Sequence, residues 1–197
     1  AIESNTKLQS AIYHRSTDNQ SLYVNLFIPS SLDWKERNVI IEQFTNFPKE
    51  DHTRLVVKGE GNFAIHVRVP QWAKKGFAMK INDKLQKVKA EAGSYLVLQR
   101  NWKNGDAIEL QMPFDFHLDP VMDQQNIASL FYGPILLAAQ ETEARLDWRK
   151  VTLDAKDLAK SIKGDPKTLE FNIDGIQFKP FYDTYGRHSV YLDVTLK

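Results

Sequence analysis

The chain has 197 residues, of which 42% are hydrophobic and 26% charged, and its formal net charge is +1. That length allows one large domain or two small ones, and the composition excludes a disordered chain. The near-neutral charge leaves no global field to gather nucleic acid or anionic lipid, and no apolar run approaches the ~20 residues of a membrane helix.

In chain order, the opening stretch AIESNTKLQS lacks the basic start and apolar core of a secretion signal. Residues 3–13 predict a short helix with Leu8 and Ile12 on one face. At ~11 residues such a helix is marginal alone and wants something outside itself to pack on. From there a period of two dominates. LYVNLFI, NVIIEQF and TRLVVKG read as strands. In NFAIHVRVP the alternation puts Phe63, Ile65, Val67 and Val69 on one face, against Asn62, Ala64, His66 and Arg68. GFAMKIND repeats it with Phe77, Met79 and Ile81, leaving Lys80 on the polar side. GSYLVLQR and DAIELQMP flank NWKNGD, where Asn104-Gly105 signals a tight turn, so the pair reads as a hairpin with Trp102 in its loop. Short strands with turn signals every ~8–12 residues predict a sandwich or barrel.

A boundary is expected in MPFDFHLDPVMDQQN, residues 112–126, where two prolines meet a polar cluster. IASLFYGPILLAA then reads as one buried strand bent at Gly133-Pro134. DAKDLAKSIKGD predicts a second helix, capped by Asp154, carrying Leu158 and Ile162 at i and i+4, and stopped by Gly164. TLEFNIDGIQFKPFYD and HSVYLDVTL complete a smaller β unit.

The chemistry is sparse. With no cysteine, disulfides, thiolate metal sites and cysteine nucleophiles are excluded within this sequence. The five histidines form no HxH, HxxxH or HExxH pattern, so no local metal site is encoded. Asp115, Asp119 and Asp123 cluster at the boundary and read as its solvation, with catalysis or calcium binding as the sharper alternative. No GxSxG, phosphate loop or dinucleotide fingerprint occurs. The lysines and arginines of residues 72–104 lack interleaved stacking aromatics, so they read as solvated strand faces and not as a nucleic-acid surface. Two places remain as weak carbohydrate-binding or interface candidates. Trp72 follows a strand-ending proline in VRVPQWA, where it either caps the sandwich or offers a sugar platform. In KPFYDTYGRHSVY, a loop with Tyr182, Asp183, Arg187 and His188 enters the last strand; it either binds a ligand or closes against a neighbouring domain with Asp183 holding Arg187.

Taken in order, LYVNLFIPSSLDW, TNFP, VRVPQWA, GSYLVLQRNWKNGDAIELQMP, LFYGPILLAA and KPFYDTYGRHSVY resemble the post-catalytic part of bacterial proteins of glycoside hydrolase family 127, the β-L-arabinofuranosidase family. The resemblance spans nearly the whole chain. It implies an upstream (α/α)₆ barrel holding the catalytic cysteine and a cysteine-rich zinc site, neither of which this sequence can supply. The implied organisation is residues 1–14 as the end of the barrel region, 15–115 as a β-sandwich, and 116–197 as a C-terminal β domain. The fold class expected is therefore all-β: a β-sandwich, a smaller β unit with one short helix, and a short N-terminal helix left from the barrel.

The expected role is accessory, with no catalytic residue, metal ligand or cofactor in this chain and zinc only in the absent barrel. The barrel of the same protein is the expected partner; a homodimer and a carbohydrate are further partners to test, and nucleic acid and membrane are not expected. Two rivals stay open: an independent carbohydrate-binding module, and a hydrolase working through Asp183 and His188. Sugar specificity and compartment are not legible, although a periplasmic or extracellular site in a bacterium is favoured over the cytoplasm.

Overall fold

The structure is a computed structural model describing residues 7–144 and 146–197. The chain divides into two compact units, the first ending at Pro113 and the second beginning at Phe114.

The first unit contains β1 (Tyr13–Arg15), β2 (Ser21–Val24), β3 (Ser30–Trp34), β4 (Val39–Thr45), β5 (His52–Lys58), β6 (Gly61–Arg68), β7 (Ala78–Ile81), β8 (Lys84–Gln86), β9 (Tyr95–Trp102) and β10 (Ala107–Gln111). They form a four-stranded sheet in the order β1-β2-β6-β9 and a six-stranded sheet in the order β3-β4-β5-β10-β7-β8. Each strand turns alternate residues inward. Leu22, Val24, Ile65, Val67, Leu96 and Leu98 from one sheet share a core with Val39, Ile41, Leu55, Val57, Met79 and Leu110 from the other. Removing these side chains from water holds the layers together, at about 25 cal/mol per Å² of apolar area.

The predicted hairpin across Asn104-Gly105 is a corner instead. The turn itself forms, with Gly105 at φ +88° and the Asp106 N–H donating to the Lys103 carbonyl at 3.0 Å. Yet β9 pairs with β6 in one sheet, while β10 lies between β5 and β7 in the other. The cause is Trp102. It is the last residue of β9, not a loop residue, and it is fully buried, donating its indole N–H to the Phe63 carbonyl at 3.0 Å. Swallowing this ring at the end of the sandwich carries the chain from one layer to the other.

The predicted N-terminal helix ends earlier than expected. Residues 1–6 lie outside the described residues; of the rest, only 7–10 are helical, and β1 begins at Tyr13. Leu8 is exposed whereas Ile12 is buried, and the Ile12 carbonyl accepts from the Asn25 N–H at 2.9 Å. Leu26 to Ile28 also leave the strand expected of LYVNLFI, which stops at Val24.

The second unit contains β11 (Phe116–Val121), β12 (Gln124–Tyr132), β13 (Ile135–Gln140), β14 (Arg149–Leu153), β15 (Lys163–Asp165), β16 (Glu170–Ile173), β17 (Ile176–Pro180), β18 (His188–Ser189) and β19 (Leu192–Leu196). Their main order is β14-β19-β12-β13-β17-β16-β15, with β11 on β12 and β18 on β13. Leu130, Leu137, Leu153, Phe171, Ile173, Phe178 and Leu192 form its core. Within the stretch expected to hold the boundary, Phe116 to Val121 form a strand that pairs with β12 and breaks register after Pro120. Proline is tolerated there because an edge or bulge position needs no N–H on that side. IASLFYGPILLAA is not one bent strand but a hairpin, in which Tyr132 faces Ile135 across Gly133-Pro134. Gly133 has φ +54°, and a Cβ on it would sit 2.6 Å from the Phe114 ring.

The second predicted helix shrinks to one 3₁₀ turn, Leu158–Ser161. Asp154 stabilises the approach, accepting from the N–H groups of Lys156 and Asp157, and Asp157 caps the turn itself through the Ala159 N–H. Gly164 does not end a helix; it lies in β15, where a Cβ would fall 2.2 Å from the Glu170 carbonyl oxygen. Tight strand pairing at that glycine takes the residues a longer helix would have used.

Candidate functional site

The C-terminal cluster is built where β17 ends and β18 begins. Phe181–Asp183 make a single 3₁₀ turn, closed by the Thr184 N–H donating to the Phe181 carbonyl at 3.2 Å. The Thr184 hydroxyl donates to the Pro180 carbonyl at 3.1 Å and accepts from the Gln140 amide at 3.3 Å. Tyr182 and Asp183 thus project from a fastened turn, and both are exposed. Burial of part of the ring first, and the neighbouring Asp183 charge second, push the Tyr182 phenol above its ordinary value. Tyr182 therefore stays a neutral hydrogen-bonding group around pH 7 and cannot act there as a base.

Arg187 uses its backbone, its carbonyl accepting from the Glu141 N–H at 2.9 Å. Among the described ion pairs none joins Arg187 to Asp183, so the expected clasp is not formed. His188 opens β18 opposite Gln140; its Nδ1 lies 2.8 Å from the Gly186 carbonyl and its ring meets Phe181 edge-on at 5.4 Å. Beside it is a recess of about 270 Å³ that also involves Leu146, Trp148, Ser189 and Tyr191. Trp148 and Tyr191 meet edge to face at 6.0 Å. Sequence reasoning missed this pair because parallel pairing of Arg149 with Leu192 creates it, and no local pattern specifies that register.

Trp72 sits apart from that cluster, in the first unit. It is half-buried against the sandwich core, its ring stacked on Phe47 at 6.1 Å, and Phe47 in turn meets Phe27 edge-on.

A concavity of about 890 Å³ lies on the outer face of the six-stranded sheet and was not anticipated. Its floor is one row across five strands. Phe44 faces Arg54, Arg54 faces Glu109, Glu109 faces Lys80, and Lys80 faces Leu85. Period two assigns each of these side chains to the outer face, but only the strand order assembles the row. His52, Gln111 and Asn46 line it further.

The buried carboxylates serve the framework. Asp106 accepts from the Asn82 side-chain amide at 2.7 Å and from the Lys103 N–H at 2.9 Å, with Arg100 3.8 Å away. Burial alone would raise its pKa; the Asn82 and Lys103 hydrogen bonds and the charges of Arg100 and Lys103 outweigh it, so the carboxyl is held below its ordinary value. A depressed carboxyl adds stability above the unfolded value of about 3.9 and loses it as pH falls through the folded value. Asp106→Ala is expected to cost about 1–3 kcal/mol at pH 7. It should also flatten the acid limb of a stability-versus-pH curve measured by urea unfolding. In the second unit, Glu141 accepts from Nε and Nη2 of Arg149 and from the Ser189 hydroxyl at 2.9 Å. That hydrogen bonding, only partly opposed by burial, raises the pKa of Arg149. Among the described residues no three His, Asp or Glu side chains gather as metal ligands.

Comparisons with known proteins agree with this geometry. Residues 21–114 match the family profile described as "Beta-L-arabinofuranosidase, GH127 middle domain". Curated proteins gave no significant match. Among solved structures, one described as a glycoside hydrolase aligns over 98% of this chain and 38% of its own, at 18% identity and a TM-score of 0.72. A GH127 β-L-arabinofuranosidase from Geobacillus stearothermophilus T6 aligns over 95% of this chain and 35% of its own, at 19% identity and a TM-score of 0.72. A further GH127 β-arabinofuranosidase aligns over 93% and 36%, at 19% identity and a TM-score of 0.69. At these identities the structural likeness establishes the fold, and the chain spans little more than a third of each of these proteins. Over residues 21–114 the chain is similar in sequence to the GH127 middle domain, and over nearly its whole length it shares the all-β fold of these solved structures.

Proposed function

We propose that this chain is the accessory, non-catalytic β region of a glycoside hydrolase of the β-L-arabinofuranosidase type. In this reading it supports a helical catalytic barrel of the same protein or makes interdomain or dimer contacts. The observation that carries it is the use of the buried acids. Asp106 and Glu141 are each committed to tying loops and strand ends, and of the acids that do line the concavity Glu109 faces Arg54 while Glu50 is held by Asn46 and His52. A glycosidase of the usual kind needs two carboxyl groups facing one sugar ring across a gap of about 5–10 Å. The chemistry of the donor set also does not fit the zinc that the family resemblance implies. The sequence has no thiolate and the described residues bring no ligand cluster together, so that metal would be held elsewhere in the protein.

The test is turnover of 4-nitrophenyl β-L-arabinofuranoside by the purified chain, beside a longer protein that includes an upstream barrel. The chain alone is expected to be inactive and the longer protein active, and deleting this region should lower the barrel's thermal stability. Turnover by the chain alone that disappears in Asp183→Asn would instead establish a hydrolase. The carbohydrate-binding alternative is favoured by a different observation, the groove on the six-stranded sheet.

A further inference from the structure

We propose that the outer face of the six-stranded sheet binds a neutral oligosaccharide, lying across β4, β5, β10, β7 and β8. This goes beyond the accessory role and stands whether or not the chain serves a barrel, because binding needs no catalytic group.

The first ground is shape. The concavity of about 890 Å³ is of ligand size and is lined by the first unit alone. Adjacent strands lie ~4.8 Å apart, so the four spacings from Phe44 to Leu85 span ~19 Å, which suits a chain of sugars better than a single ring. The second ground is the chemistry along the row. Its two ends are apolar and open: Phe44 is 52% exposed and Leu85 is 71% exposed. Between them stand Arg54, Glu109 and Lys80, with Gln111 and Asn46 alongside. An exposed Phe ring offers a flat apolar face to the C–H groups of a sugar. The guanidinium, carboxylate and amides present several donors and acceptors in fixed planes, which suits vicinal hydroxyls. Arg54 Nε lies 3.7 Å from Glu109 Oε1, too far for a good hydrogen bond, so both retain capacity for a ligand.

The third ground is charge, which selects among occupants. Glu50 and Glu109 offset Arg54 and Lys80, so the groove has no net field to favour an acidic glycan, a nucleic acid or a cation. A protein partner, including a second copy, would have to bury three charged side chains at the centre of the contact, where interfaces are depleted of charge. A polyhydroxylated neutral ligand can replace the water around those groups with hydroxyls and leave none unpaired.

The experiment is calorimetric titration of the full chain with neutral arabino-, xylo- and galacto-oligosaccharides, with oligogalacturonate as the acidic comparison. At least one neutral series is expected to bind in the millimolar range or tighter, with affinity rising with chain length. Phe44→Ala and Arg54→Ala should each weaken binding by ~10-fold or more, as loss of a central anchor does. Their thermal unfolding should match wild type, since both side chains are on the solvent face. Phe44→Trp should retain binding and report it by a fluorescence change. Tyr185→Ala, on the second unit, should leave affinity unchanged. The proposal is overturned if no neutral series binds, if the acidic oligomer binds tighter, or if Phe44→Ala and Arg54→Ala bind like wild type. It is equally overturned if sedimentation shows a dimer that Phe44→Ala abolishes.

Discussion

Replacing Trp102 with alanine is expected to destabilise the first unit by about 3–5 kcal/mol, the cost of emptying a large aromatic site in a packed core. The indole is fully buried, lies 6.1 Å from the Phe63 ring, and carries the Arg100 guanidinium 5.0 Å above its face. Phe63 in turn meets Trp34 edge-on at 5.2 Å, so the cavity would open beside two further aromatics. The loss is a large fraction of the ~5–15 kcal/mol that holds an ordinary domain together. Two effects are combined in it, and a second variant separates them. Trp102→Phe keeps most of the apolar volume but removes the N–H that satisfies the Phe63 carbonyl, and should cost only about 1–3 kcal/mol. Amide exchange of β6 and β9 is the measurement. If Trp102→Ala leaves their protection within a factor of ~5 of wild type, a change under ~1 kcal/mol, the corner is not held by this ring.

Removing Glu141 is the corresponding expectation for the second unit. Its carboxylate side chain is 4% exposed and that of Arg149 21% exposed, so Glu141→Ala leaves a cation in poor contact with water. Breaking one partner of such a pair costs about 3–5 kcal/mol, chiefly from the charge left behind and not from the pair's net worth. The distinction is testable. Replacing both partners, Glu141→Leu with Arg149→Met, should restore most of the loss, whereas Glu141→Ala with Arg149 intact should not. Glu141 also receives the Ser189 hydroxyl on its carboxylate, a bond that Glu141→Ala removes while the backbone N–H to the Arg187 carbonyl remains. Lost protection should therefore reach β18 and the loop carrying Arg187 and His188, as well as β14. An unchanged β18 in amide exchange would show that this loop is ordered by its own turn and not by the Glu141 anchor.

These two anchors show how far local sequence could carry the reading. Alternation in NFAIHVRVP and DAIELQMP was enough to assign inner and outer faces, and Phe63, Ile65, Val67, Ile108, Leu110 and Met112 are all buried as that alternation requires. A pleat is a property of a single strand, so its period is written in consecutive residues. Gly105 likewise turns the chain where Asn104-Gly105 indicated. The two helices came out shorter than expected because i and i+4 apolar spacing is a weak signal in short segments; the first gives way before β1 begins at Tyr13, and strand pairing at Gly164 overrode the second.

The absence of cysteine, the near-neutral charge and the period of two were settled by sequence alone, because each depends only on which residues are present and on the geometry of one extended strand. Strand partnership was decided by the tertiary structure. It alone sent β9 and β10 to different sheets, set β2 beside β6 and β14 beside β19 in parallel, and brought Trp148 to Tyr191. It also assembled Phe44, Arg54, Glu109, Lys80 and Leu85 into one groove from residues as much as 65 positions apart, the separation of Phe44 from Glu109. Register between strands is fixed by hydrogen bonds and burial among distant segments, and a linear pattern contains no record of which segment will be the neighbour.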